Sequence, residues 1–203
     1  MERRAFLIEL DGDRIVEAEG RLKALAPRIR KEAAAKGIGN FSLWGVSNLM
    51  GGYGEYERDA RLSVLEGALE GCGRMLCPPG AMQLMYHDLG VVRQDKSLIR
   101  HRVFFTKLKP GCVEEYKRRH DALIAARKGI VADGPDSNFT IWQGAGFIFG
   151  YCEKVKAFDR EMTEGERRET IAWETRQLEI MDWLTDDVDW ITGQTHEHVR
   201  RIL

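Results

Sequence analysis

No stretch of this 203-residue chain holds 18 consecutive apolar residues, so no segment has the length and hydrophobicity of a membrane-spanning helix. No charge of one sign prevails. Lysine and arginine number 31 against 32 aspartates and glutamates, and the basic excess of a nucleic-acid or anionic-membrane surface is missing. Cysteine is scarce, with Cys72, Cys77, Cys112 and Cys152 alone. None forms a Cys-x-x-Cys pair and no Cys/His group has zinc-finger spacing, so no metal site is expected. Four reduced thiols suit a cytoplasmic location. The opening MERRAFLIEL has too short an apolar stretch for a signal peptide.

What the chain does have is internal repetition. RRAFLIELDGD from Arg3 matches HRVFFTKLKPG from His101, GNFSLWG from Gly39 matches SNFTIWQ from Ser137, and GGYGEY from Gly51 matches FGYCEK from Phe149. One offset of 98 residues relates all three pairs, placing Phe6 on Phe104, Asn40 on Asn138, Phe41 on Phe139 and Tyr53 on Tyr151. Each copy reads as a β-rich strand, a long amphipathic helix (13–36 and 112–132), two short strands, a second helix (57–71 and 165–185) and a last strand (82–92 and 195–203). The order βαββαβ is ferredoxin-like. The expected fold is α+β: two ferredoxin-like repeats, 1–92 and 99–203, joined by the short RQDKSL segment and forming an intrachain dimeric α+β barrel.

The offset also compares the first helices. Ile15, Ala18, Leu22 and Ile29 form an apolar stripe in copy one; copy two has Val113, Tyr116, His120, Leu123 and Ala126. Tyr116 and His120 therefore occupy core-facing positions. Two readings fit: a structural Tyr–His pair, or a general acid/base in a helix–sheet crevice, since the unperturbed pKa of histidine, about 6.5, lies near working pH. The Lys117–Arg119 run reads as the solvated face, and the recurring Trp44 and Trp142 as structural.

Residues 114–120, Glu-Glu-Tyr-Lys-Arg-Arg-His, resemble the Glu-Glu-Tyr-x-Arg-Arg-His pattern of the L-rhamnose mutarotase family. Asn138-Phe139 is similar to the family's Asn-Tyr dipeptide, and Ala26-Pro27 to its Trp-Pro. The resemblance implies an isomerase of carbohydrate metabolism that interconverts the anomers of a monosaccharide such as L-rhamnose, without metal or cofactor. It implies His120 as the proton donor, Tyr116 as a sugar-contacting residue, and Phe139 as a sugar-binding position lacking the family's hydroxyl; Tyr116 is also a candidate catalytic residue beside His120. The family's paired tryptophans have no direct match; Trp173 and Trp183 are present, and Trp183 lies nearest the expected place. For the second proton-transfer group, a water, Tyr116, His196 and His198 all remain open. The expected partner is a small-molecule substrate, with a homo-oligomer left open. Two other functions stay in view: a cofactor-free monooxygenase-like enzyme of the same barrel fold, and a non-catalytic ligand-binding protein.

Overall fold

The computed structural model describes residues 1–131, 134–158, 160–184 and 198–203. It divides into two compact units, Met1–Met82 with Val199–Leu203, and Gln83–His198. Unit one contains β1 (Glu2–Leu10), α1 (Ile15–Ala35), β2 (Ile38–Val46), β3 (Leu49–Tyr56), α2 (Ser63–Leu69) and β4 (Gly73–Cys77). Next come β5 (Gln83–Asp88), β6 (Ile99–Leu108), α3 (Val113–Ala126), β7 (Asp136–Gly144), β8 (Phe147–Val155), α4 (Glu164–Gln177), β9 (Met181–Trp183) and β10 (Arg200–Arg201). Each unit has one five-stranded antiparallel sheet, ordered β10-β2-β3-β1-β4 in the first and β5-β7-β8-β6-β9 in the second. The inner order 4-1-3-2 is consistent with ferredoxin-like folds.

The closing strands differ from the sequence expectation. The strands that complete βαββαβ are the short β4 and β9, which pair with β1 and β6. The 82–92 segment does not close the first sheet: its strand β5 pairs with β7, and β10 pairs with β2. RQDKSL accordingly lies inside unit two, where Lys96 holds the buried Glu153 carboxylate at 2.8 Å. The chain leaves unit one just after Pro78-Pro79-Gly80. Prolines cannot extend the ladder, and local sequence does not name the partner of an edge strand, because pairing depends on tertiary context.

Helix ends moved for local reasons. α3 stops at Ala126, leaving the expected Ala126 exposed, because Lys128 and Gly129 take left-handed φ of 51° and 75°. α4 starts at a capping box in which Thr163 and Glu166 satisfy each other's backbone N–H. It ends at Gln177 rather than 185, and β-favouring residues beyond it pair with the edge of β6. Met181, inside the span expected to be helical, is thus a buried strand residue. Of the expected strand 195–203, residues 195–197, His196 among them, lie outside the described residues.

Two devices recur at the 98-residue offset. Asn40 and Asn138 have φ of 47° and 51°, a left-handed conformation that asparagine tolerates better than most residues. Each sits at a register shift in its strand, and each donates its side-chain amide to a carboxylate on the adjacent strand, Glu55 at 3.0 Å and Glu153 at 3.2 Å. Across from these, Phe6 and Phe104 lay their rings over Gly52 and Gly150. A Cβ at either glycine would fall 1.9 or 2.1 Å from a ring carbon, so only glycine admits the ring.

Candidate active site

The first turn of α3 carries Glu114 and Glu115, whose charge favours a helix N-terminus. Tyr116 and His120, four residues apart, share one face and are 2% and 4% exposed. Their counterparts Ala18 and Leu22 are fully buried in the apolar core of unit one. The direction read from the sequence therefore holds. The Tyr116 and His120 rings stack at 4.1 Å between centroids. His120 Nδ1 lies 2.9 Å from the Tyr116 carbonyl; a carbonyl only accepts, so Nδ1 carries the proton and donates. In the neutral ring this leaves the lone pair on Nε2.

Three aromatic rings surround the imidazole. Besides Tyr116, Tyr86 on β5 approaches edge-on at 5.5 Å and Trp173 on α4 at 5.6 Å. Phe139, placed by the Asn138 bulge, contacts Tyr86 at 5.2 Å and Phe104 at 6.4 Å. It lines the same apolar cluster but stands one ring away from the histidine. Arg127 covers the Tyr86 ring at 4.9 Å and pairs with Asp88 at 3.0 Å, which fixes β5 against α3.

Trp183 is on strand β9 opposite Thr106 and packs against this cluster, whereas Trp173 is the tryptophan in ring contact with His120. The early end of α4 is the reason. Tyr86 is absent from the sequence-derived site because the sequence reading gives its strand to the first repeat, whereas the structure puts it in unit two. Gln177 is absent from it too: it is buried one turn beyond Trp173 on the same helix face, and neither amide atom has a hydrogen-bond partner among the described residues. A polar residue at i+4 from a core aromatic was the available signal.

Burial lowers the His120 pKa from its ordinary 6.5, opposed by the bond to the Tyr116 carbonyl and by Asp121, and reinforced by Lys117 and Arg119. The ring is neutral at pH 7. Burial, with the nearby Glu174 charge, pushes the Tyr116 hydroxyl up, so it stays protonated. Arg119 departs from the solvated-face reading. It is 8% exposed, donates to Glu115 and Glu179 at 2.7 Å each, and donates to the Arg176 carbonyl. It thereby ties α3 to the end of α4 and sets the spacing across which Trp173 meets His120. His198 is exposed just before β10.

All the groups around His120 belong to unit two. Together they form a neutral imidazole whose Nε2 is the acceptor nitrogen, a phenol that donates, and aromatic faces of the kind that pack on apolar ligand surfaces. No curated protein and no solved structure matches the chain. Residues 101–200, which include Tyr116, His120, Phe139 and Trp173, match the family model described as L-rhamnose mutarotase.

Proposed function

We propose that unit two is a mutarotase-like site that interconverts the anomers of a monosaccharide such as L-rhamnose, with His120 as its acid/base residue. The observation that carries this reading is the buried imidazole, anchored through Nδ1 and neutral at pH 7, within a segment that matches the mutarotase family model. Opening a cyclic hemiacetal requires removal of the anomeric hydroxyl proton and protonation of the ring oxygen; closure on the other face reverses both. Nε2 of His120 takes the first proton. Tyr116 donates a hydrogen bond to a sugar oxygen, and the Gln177 amide supplies one donor and one acceptor suited to neighbouring hydroxyls. A bound water delivers the second proton. None of these steps calls for a metal or cofactor.

The two units also read as copies of one module, of which unit one has lost the Tyr–His pair. The recurring Asn–carboxylate contact and the Phe-on-glycine packing support this. A chimera in which residues 136–155 replace 38–57 should fold; a chain with no cooperative melt would count against the duplication.

The function is tested by NMR exchange spectroscopy on L-rhamnose. Wild type should exchange the α and β anomers faster than buffer does. Absence of catalysis with L-rhamnose and a panel of other monosaccharides would sink the sugar reading. The apolar Phe139, where the family has a tyrosine, would then favour a different small-molecule substrate.

A further inference from the structure

Unit one holds a cavity of about 1190 Å³ between α2 and the β1–β4 side of its sheet. It is separate from the counterpart of the candidate active site, because Ala18, Leu22 and Phe41 do not line it. Its origin lies in helix length: α2 has seven residues where α4 has 14, so α2 covers less of its sheet. Phe6, Leu62, Leu65, Leu69 and Met75 give the cavity apolar walls.

Tyr56 also lines it. This side chain is 2% exposed, and its hydroxyl has no hydrogen-bond partner among the described residues. Buried hydroxyls are ordinarily satisfied, and an orphan beside a cavity marks a place for an external partner. Burial raises the Tyr56 pKa to about 12, so the group is a neutral donor near pH 7. Both arginines on the lining are already paired. Arg4, stacked 5.3 Å over the Tyr56 ring, bonds Glu2 at 2.6 Å and also Asp59; Arg61 makes two bonds of 3.0 Å to Glu66. An anion would find its countercharges already neutralised. The volume exceeds the 300–1,000 Å³ usual for small-molecule sites; its inner wall is apolar apart from two buried donors without partners among the described residues, the Tyr56 hydroxyl and Arg4 Nε, while Asp59, Ser63, Glu66 and Glu70 line the rest.

We propose that this cavity binds an uncharged, largely apolar small molecule whose acceptor oxygen is received by the Tyr56 hydroxyl. The proposal is independent of the function assigned to unit two.

The test is a ¹H–¹⁵N NMR titration of the full chain with benzophenone, with 1,1-diphenylethylene as the same shape lacking the oxygen, and with benzoate as the charged probe. Benzophenone should shift the resonances of Leu62, Leu65 and Leu69 in a saturable way and bind more tightly than benzoate. Tyr56→Phe should weaken benzophenone by about 3- to 10-fold, the span of one net hydrogen bond, and leave 1,1-diphenylethylene unchanged. Gly67→Trp should weaken both neutral probes. Gly67 is on the lining, and a Cβ there meets nothing within 4 Å, so this variant keeps the fold if Tyr56→Phe does not. The proposal is overturned by absence of saturable shifts at these leucines, by tighter binding of benzoate, by equal benzophenone affinity in wild type and Tyr56→Phe, or by neutral-probe binding that Gly67→Trp leaves unchanged.

Discussion

Helices α1 and α3 begin 98 residues apart, at Ile15 and Val113, and present the same face to their sheets. On α1 that face is Ala18 and Leu22, both fully buried in an apolar cluster. On α3 it is Tyr116 and His120, equally sheltered but ringed by Tyr86 and Trp173. The backbone pattern is common to both; the chemistry differs. A buried position that holds leucine in one unit contributes to stability, and the equivalent histidine contributes a proton acceptor at a cost in desolvation.

That contrast can be broken by substitution. The largest stability effect is expected in unit one: Leu22→Ala should lower stability by about 2–5 kcal/mol, the range for a core truncation that leaves a cavity. A loss under about 1 kcal/mol in urea melts would mean that the site collapses or is not core. Arg119→Met should cost less, about 1–3 kcal/mol, since Glu115 and Glu179 remain solvated when their partner goes. Catalysed exchange should fall with it, because the α3–α4 spacing is no longer fixed; an unaltered rate in the folded variant would remove its positioning role. Tyr116→Phe deletes one hydroxyl and should raise KM for the sugar by about 2- to 10-fold with little change in kcat.

The smallest effect is electrostatic. The His120 pKa is lowered on folding, so as pH falls below 6.5 the unfolded chain takes up a proton there before the native chain does. The contribution of His120 is therefore fully present above pH 6.5 and lost as pH drops through the lowered native value. The stability difference between wild type and His120→Gln, followed by urea melts across this range, should shift against wild type as pH falls. A difference constant with pH would show that the native pKa is not depressed.

Much of the fold was legible because repetition supplied an internal reference. Strand and helix starts at Leu49, Val113 and Phe147 follow from alternation and turn signals, and the inward direction of His120 follows from Leu22 alone. The edge strands were not legible. β5 and β10 carry no local mark of the sheet they join, so sequence alone puts Tyr86 in the first repeat while the structure puts it in unit two. The end of α4 was hidden because Leu178–Leu184 can continue an apolar helix pattern, and only the unpaired edge of β6 makes it a strand. A helix running to 185 favours Trp183 over Trp173. Arg119 looked like one of three solvated cations because the acceptors that bury it lie on or just beyond α4, some 60 residues away.

On the proposed function, the α3 face is catalytic and the α1 face is structural. The direct measurement is anomer exchange of L-rhamnose, read by NMR on wild type, His120→Ala and Leu22→Ala, with circular dichroism confirming that each is folded. His120→Ala should lose about 10²–10⁴-fold in the catalysed rate, and Leu22→Ala should keep the wild-type rate per folded molecule. A His120→Ala protein that matches wild type, or a Leu22→Ala protein that is folded and inactive, would contradict this assignment of the two faces.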